Sequence, residues 1–337
     1  MEPLLKIYEA EAKLRLYCEQ VDFKGWDPWD ALQAPIFRLF PLNQRIFRWA
    51  GNHLVKIAPF NPRTLMGIRR DCFAKGLALF LAGYLQREKL QHEKENVAKI
   101  DLLLERLLKR SISGYSGICW GTNVPYQTRA FYVPPQMPSL VHTAVAVEAL
   151  LDLADFKRDD ELIELAESAG RFVLNDLNIR QEPSGIAFSY TPNDHSRVIN
   201  VTALAARMLA RTGVAVGNPE FIQHAEQAAR YVINAQAEDG SWQYGQNAVH
   251  HWIDNYHTGF VLEALEDYRS ITGDDEVAFA IRKGGDFYRR ELFLEDGTPK
   301  FSPNSIYPID GHCLAQGILT FAKLKDYNAT YLSFAHT

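Results

Sequence analysis

The chain has 337 residues, of which 47 % are hydrophobic and 23 % are charged, and its formal net charge is −5. This composition is typical of a soluble globular protein and excludes a disordered chain, a collagen-like chain and a disulfide-stapled miniprotein. The mild negative charge gives no electrostatic footprint for nucleic acid, so no nucleic-acid partner is expected.

The first predicted element, Met1–Gln20, is interrupted by charged residues, which is typical of an amphipathic helix and not of a signal peptide. No apolar run anywhere reaches the roughly 18 residues of a membrane-spanning helix. Cys18, Cys72, Cys119 and Cys313 form no CxxC pair. Thiols used in this way fit a reducing compartment, so we expect a cytoplasmic protein without a transmembrane segment.

Helical sequence continues through the N-terminal third of the chain. Residues 1–60 contain the first helix and a second at Leu42–Ile57. Residues 61–110 resemble a degenerate hairpin, with an inner helix at Cys72–Gln86 and an outer helix at Val97–Leu108.

Residues 115–325 contain a regular repeat of about 57 residues. Each repeat begins an apolar helix with a polar residue, and these residues are separated by 58, 57 and 55 positions. They are His142, Asn200, His257 and His312, in the segments Ser139–Leu150, Val198–Met208, Asp254–Leu265 and Asp310–Leu319. Second helices are predicted at Asp160–Leu177, Pro219–Ala235 and Asp275–Leu292.

The repeat predicts an all-α protein in which helical hairpins pack side by side, because a single apolar hairpin cannot bury its own face. About five to six hairpins in one chain favour an α/α toroid (barrel), with short β-like loops at one mouth. Residues 1–337 would then form a single domain. An open solenoid is the alternative arrangement.

In a toroid, the loops and the N-termini of the inner helices lie at the same end. That end would collect aromatic rings, together with His, Asp, Asn and Arg side chains. The predicted substrate-binding residues are Trp120, Arg129, Tyr190, Asp194, Arg197, Asn200, Trp242, Tyr244, His251, Trp252, Tyr256, Asp310 and His312. Sugars offer apolar C–H faces to such rings and hydroxyls to such polar groups, so the pattern favours carbohydrate over an isoprenoid.

Gln236–Trp242 resembles the QW repeat of the squalene-cyclase and protein-prenyltransferase superfamily, and Tyr256–Gly259 is similar to its inner-helix starts. The resemblance spans about residues 115–325 and implies the toroid. The DxDD acid of the cyclases does not occur. Asp310, His312 and Cys313 do not reproduce the zinc ligands of the prenyltransferases, so neither a metal nor another cofactor is expected.

A second resemblance points to carbohydrate. Asp254–Leu265, with Gly117–Gly121 and Arg129–Phe131, resembles repeat proteins of bacterial capsule and exopolysaccharide synthesis. The helical domain of glucuronyl C5-epimerases and the unsaturated-uronyl hydrolases are looser relatives in architecture. The resemblance implies an oligosaccharide or polysaccharide substrate and partner proteins of a polysaccharide synthesis complex.

The residues indicate general acid/base catalysis on a uronate-containing saccharide, by an epimerase, lyase or hydrolase. His257 is the predicted acid or base, oriented by Asp254, with His142 serving the opposite face of the sugar. Tyr126 or Tyr256 is a candidate second proton donor. Arginines would hold a carboxylate of the substrate, namely Arg129 and Arg197. Tryptophans would stack on its sugar rings, namely Trp120, Trp242 and Trp252.

Three alternatives remain open from the sequence. A pair formed by Asp254 with Asp194 or Asp310 would favour hydrolysis. The chain could instead be a non-catalytic glycan-binding or assembly protein. An isoprenoid cyclase or prenyltransferase-like enzyme is the third alternative, which requires an acid or metal at the base of an apolar cavity.

Overall fold

The computed structural model describes residues 2–127 and 132–337, without the side chains of residues 2–4, 56 and 57. The chain divides into two compact units, Met1–Asp159 and Asp160–Thr337. In both units the described residues are mostly helical, with two short β-hairpins. The all-α class predicted from the repeat is therefore observed, whereas the single-domain organisation stays a prediction.

The first unit contains five α-helices in its described part. They are α1 (Glu2–Gln20), α2 (Arg45–Ile57), α3 (Ala74–Leu90), α4 (Lys94–Lys109) and α5 (Leu140–Lys157). Helix α3 packs against both α4 and α5. The strands β1 (Tyr126–Gln127) and β2 (Tyr132–Val133) pair antiparallel.

The second unit contains seven α-helices. They are α6 (Asp160–Asn175), α7 (Ile199–Val216), α8 (Pro219–Asn234), α9 (Asn255–Thr272), α10 (Glu276–Glu291), α11 (Gly311–Lys323) and α12 (Tyr331–Ala335). The strands β3 (Ile179–Glu182) and β4 (Gly185–Phe188) form an antiparallel hairpin before α7. The predicted inner and outer helices all occur, with ends that shift by a few residues.

The inner helices α7, α9 and α11 pack in sequence, α7 on α9 and α9 on α11, and each contacts its own outer helix. Their faces are rich in small residues, so the axes approach closely. A Cβ atom on Gly259 of α9 would lie 2.5 Å from Cγ of Gln316 of α11, too close for any side chain. The packing therefore fixes the positions of the inner-helix N-termini relative to one another.

The ends of these helices follow the local sequence. The side chains of Ser139, Asp254 and Asp310 accept hydrogen bonds from backbone N–H groups in the first turns of α5, α9 and α11. Gly217 and Gly273 end α7 and α9 in the left-handed conformation that glycine adopts without strain. Three of the four repeats thus begin their inner helix with a side-chain cap close to the polar repeat residue, whereas α7 begins after Val198 without one.

Candidate functional site

The second unit has a small cleft at the N-terminus of α9. It is lined by residues of α7, α9 and the loop between α8 and α9, namely Asn200, Trp242, Gln243, Tyr244, Asp254, His257, Thr258 and Val261. Five of these eight residues were predicted site residues. The packing of α7 on α9 brings Asn200 and His257, which occupy equivalent repeat positions, to the same cleft.

Asp254 and His257 form a dyad at this cleft. The imidazole Nδ1 of His257 lies 2.7 Å from Oδ2 and 2.9 Å from Oδ1 of Asp254. Oδ1 also accepts the backbone N–H of His257, at 3.0 Å. Because a carboxylate can only accept, Nδ1 carries the ring proton and the neutral ring has its lone pair on Nε2. The helix cap thereby holds His257 in the tautomer whose Nε2 is free to accept a proton.

Asp254 stays ionised although its side chain is only 3 % exposed. Burial disfavours the carboxylate, but His257 and the indole N–H of Trp252 hold the pKa of Asp254 below its usual range. The Trp252 bond to Oδ2 measures 3.1 Å. A buried carboxylate held in this way orients the imidazole of His257.

Aromatic rings surround the dyad. Tyr244 stacks on Trp252 with ring centroids 4.4 Å apart, and its ring lies 4.6 Å from that of His257. On the other side, Tyr256 lies 4.2 Å from His257 and stacks on His312 at 4.5 Å. The inner helices α9 and α11 thus contribute to one group of rings, as the repeat register predicts.

The two tyrosine hydroxyls remain neutral at physiological pH. Burial raises the pKa of Tyr244 well above its ordinary value, and the neighbouring Tyr190 and Tyr256 add to the shift. Burial, together with the charges of Asp254 and Asp310, raises the pKa of Tyr256 in the same direction. The hydroxyls can therefore donate hydrogen bonds but do not supply a phenolate base.

Asn200 contributes an unsatisfied polar atom to the cleft. The residue is 3 % exposed, and its Oδ1 has no hydrogen-bond partner among residues 2–127 and 132–337. An unpaired buried carbonyl costs about 1–3 kcal/mol, which a hydroxyl or N–H group of a bound molecule would offset. This atom was predicted as a ligand contact from its repeat position alone.

His142 occupies the same position in α5 that His257 occupies in α9, but its helix cap differs. The Oγ of Ser139 accepts the backbone N–H of His142 at 3.3 Å and lies 2.7 Å from its Nδ1. A hydroxyl can donate as well as accept, so Ser139 can donate to Nδ1 and leave the ring proton on Nε2. Burial, assisted by the charge of Lys75, lowers the pKa of His142 to about 4.

Lys75 and Asp27 were not selected from the sequence. Lys75 is the second residue of α3, and burial lowers its pKa to about 8, against the opposing charge of Asp27. Burial also raises the pKa of Asp27. The sequence position of Lys75 could have indicated it, because Cys72–Gln86 was identified as an inner helix and Lys75 lies in its first turn. Perturbed ionisable groups beside His142 make this a second cluster of functional interest.

Two predicted sugar-stacking tryptophans serve packing instead. Trp120 has no exposed surface, and its indole N–H donates to the carbonyl of Leu107 at 2.8 Å. Trp242 is 3 % exposed and donates to the carbonyl of Val232 at 2.9 Å. It packs against Gly284, where a Cβ atom would lie 2.4 Å from the indole ring. These burials argue against a sugar contact for Trp120 and leave Trp242 as the edge of the cleft.

The side chains of Asp194 and Arg197 also form hydrogen bonds within the protein. Asp194 accepts hydrogen bonds from the backbone N–H groups of Thr191, at 2.6 Å, and Ser196, at 2.8 Å, and from both their hydroxyls. Arg197 donates to Glu182, at 3.0 Å, and to Asn247, at 3.2 Å. Asp194 therefore has no lone pair left for a reaction, and the guanidinium of Arg197 already holds a carboxylate.

The remaining predicted residues lie in varied surroundings. Tyr190 is half-buried in the loop before α7, and the exposed His251 approaches the carbonyl of Gln246 at 3.2 Å. Asp310 caps α11 by accepting the backbone N–H of His312 at 2.9 Å. Tyr126 is half-buried in β1. Arg129 lies outside the described residues, so its predicted contact with a carboxylate stays a prediction.

Across residues 2–127 and 132–337, no group of three or more His, Cys, Asp or Glu side chains is arranged to hold a metal ion. In the same residues, no helix combines the length and the apolar character that are needed to cross a membrane.

Several solved structures share the fold of this chain. The GH76 α-mannanase of Bacteroides thetaiotaomicron is 13 % identical with a TM-score of 0.63, over 78 % of this chain and 73 % of that one. The cellobiose 2-epimerase of Bacillus thermoamylovorans is 9 % identical with a TM-score of 0.63, over 80 % of this chain and 76 % of that one. An unsaturated glucuronyl hydrolase specific for heparin is 12 % identical with a TM-score of 0.59, over 80 % of this chain and 72 % of that one.

Neither a protein-family model nor a curated protein matches the sequence. At such low identities the structural likeness shows the fold alone, and it confirms the predicted all-α, α/α-toroid class.

Proposed function

We propose that this protein is an enzyme that modifies a saccharide by proton transfer, with Nε2 of His257 as the base. The observation that carries the proposal is the Asp254–His257 dyad in a cleft walled by aromatic rings. The dyad supplies a base in a fixed tautomer, and the rings supply apolar faces of the kind that stack on sugars. Polar groups such as Asn200 would then orient the hydroxyls.

The fold supports a saccharide as the substrate class. The solved structures that share it include a mannanase, a cellobiose 2-epimerase and a glucuronyl hydrolase. Fold analogy of this kind is associative, and it adds weight to a site that was derived from its own residues.

The state of the carboxylates favours proton transfer over hydrolysis. A glycosidase needs two carboxyl groups that are free to act on the glycosidic bond and on the attacking nucleophile. Asp194 is fully engaged by its own loop, and Asp254 is engaged by His257 and Trp252. The imidazole of His257 is therefore better placed than either carboxylate to accept a proton.

Epimerisation or β-elimination at a carbon next to a carbonyl or carboxylate is the reaction class that fits this base. His257 removes the proton from that carbon, and an acid returns a proton to the opposite face or to the departing oxygen. Tyr256, whose hydroxyl stays protonated and whose ring lies 4.2 Å from that of His257, is our candidate for the acid. Within this proposal, a uronate-containing saccharide of polysaccharide biosynthesis and a cytoplasmic location are the finer expectations.

The test follows the exchange of the abstracted proton with solvent. The purified protein is incubated in D₂O with a panel of neutral and uronate-containing oligosaccharides, and deuterium incorporation is read by mass spectrometry and ¹H NMR. We expect deuterium incorporation into one of the two classes of oligosaccharide. His257→Gln should lower its rate by about 10²–10⁴-fold, which is the usual contribution of an acid/base group.

His224→Gln is the matched control, because His224 is half-buried on the outer helix α8, outside the cleft, and approaches the carbonyl of Glu220 in its own helix. Its exchange rate should equal that of the wild type. Exchange that survives His257→Gln would exclude His257 as the base. Saccharide binding without any exchange or turnover, unaffected by that substitution, would favour a glycan-binding protein instead.

A further inference from the structure

The segment 35–70 differs in charge from the rest of the chain. It carries seven Lys and Arg residues and no Asp or Glu, whereas the whole chain has a formal net charge of −5. Arg38, Arg45, Arg69 and Arg70 are exposed. Arg63 forms an ion pair of 2.8 Å with Asp30, and the guanidinium of Arg70 lies over the ring of Trp26, 4.2 Å from its centroid. The segment therefore presents concentrated positive charge to its surroundings.

Helix α2, which lies inside this segment, turns its apolar face to solvent. Ile46 and Leu54, two turns apart on one face, are 70 % and 64 % exposed. The face that packs inward instead carries Gly51, Asn52 and Val55. An ordinary surface helix buries its apolar stripe, so α2 has the inverse orientation.

Exposed apolar side chains also flank α2 on both sides along the chain. Leu39 and Phe40 precede it and are 63 % and 80 % exposed. Phe60 and Leu65 follow it and are 64 % and 86 % exposed. A monomeric protein rarely exposes so many large apolar residues within one short segment, and such a concentration marks an interaction surface.

We propose that the segment 35–70 binds the surface of an anionic lipid bilayer, with the apolar face of α2 inserted between the headgroups. Exposed Ile, Leu and Phe side chains surrounded by arginines are the chemistry of interfacial amphipathic helices. The apolar side chains enter the boundary of the acyl region, and the guanidinium groups pair with lipid phosphates.

Charge distinguishes a bilayer from the other partners that could cover this surface. A symmetric dimer formed through α2 would bring the two positively charged segments together, which like-charge repulsion opposes. A nucleic acid would satisfy the arginines but would leave Ile46 and Leu54 in water. An anionic bilayer satisfies both the cations and the apolar face.

Co-sedimentation of the full chain with vesicles tests the proposal. Vesicles of phosphatidylcholine alone are compared with vesicles in which about a third of the lipid is phosphatidylglycerol, at low and high salt. We expect binding to the anionic vesicles that weakens with salt. Ile46→Gln with Leu54→Gln should weaken it by at least about tenfold, and Arg38→Gln with Arg69→Gln by about twentyfold.

The matched control combines Phe279→Gln and Lys325→Gln in the second unit. Phe279 is 73 % exposed, and Lys325 is also exposed, so the control removes similar groups elsewhere. It should bind as the wild type does. The proposal is overturned by a lack of binding to anionic vesicles, by equal binding to both vesicle types, or by variants that bind unchanged. A wild-type dimer that the Ile46 and Leu54 substitutions convert to monomers would also overturn it.

Discussion

Replacement of Lys75 by methionine tests whether the buried charge of Lys75, at the start of α3, lowers the stability of the folded protein. Burial lowers the pKa of Lys75 from 10.5 to about 8, and the charge of Asp27 recovers only part of this effect. A gap of about 2.5 units corresponds to about 3 kcal/mol, because one pKa unit is worth about 1.4 kcal/mol. The folded state therefore carries this cost whenever Lys75 is protonated.

The sign of the pH dependence follows from the direction of the shift. Between pH 8 and 10.5 the unfolded chain holds the Lys75 proton and the folded chain does not, so the free energy of unfolding rises with pH. Below pH 8 both states are protonated, and the full cost is present. Lys75→Met should therefore raise the free energy of unfolding at neutral pH by up to about 3 kcal/mol and remove the rise at alkaline pH.

Urea unfolding from about pH 7 to pH 10.5 measures both effects, with Lys325→Met as the control because Lys325 is exposed. The pKa of His142 should rise in the Lys75 variant, since Lys75 contributes to its depression, but burial should keep it below 6.5. A Lys75→Met variant no more stable than the wild type at neutral pH would refute the reasoning. So would an unchanged alkaline rise.

Three further predictions concern the helix N-termini and their packing. Because the folded pKa of His142 is about 4, the free energy of unfolding should fall by about 3 kcal/mol between pH 6.5 and pH 4, and His142→Gln should remove this acid dependence in urea titrations. Asp254→Asn should move the proton of His257 from Nδ1 to Nε2, which ¹⁵N NMR detects; an unchanged tautomer would contradict the assignment. Gly259→Ala should lower the free energy of unfolding by about 1–3 kcal/mol through its clash with Gln316, whereas Gly76→Ala, in open space, should not.

The repeat made the helices and their N-terminal polar residues predictable from the sequence. Apolar periodicity, Gly stops and Asp caps act over a few residues, so α8 was predicted at Pro219–Ala235 and is observed at Pro219–Asn234. The equivalence of His142 and His257 also follows from the repeat. The sequence also predicted that Asp254 orients His257, but it did not predict the hydrogen bond of Ser139 to Nδ1 of His142, which gives that ring a different donor and acceptor pattern.

The roles of individual aromatic and charged residues were harder to predict. Trp120 and Trp242 follow glycines in loops and were assigned to sugar stacking, but a backbone carbonyl satisfies each indole N–H in the interior. Asp194 looked like a free carboxylate, and only the folded loop shows that five donors surround it. Such outcomes depend on tertiary contacts, which a sequence pattern does not contain.

The inner-helix N-termini suggest how one repeat could acquire different chemical roles. An N-terminus carries partial positive charge and favours an anion, yet Lys75, His142 and His257 place basic side chains there. The carboxylate of Asp254 places a negative charge beside His257, whereas the hydroxyl of Ser139 places no charge beside His142. A substitution at the capping position alone therefore changes which ring nitrogen carries the proton, while the helix and its cap are retained. Exchanging the caps, with Ser139→Asp and Asp254→Ser, should exchange the two tautomers in ¹⁵N NMR without loss of either helix.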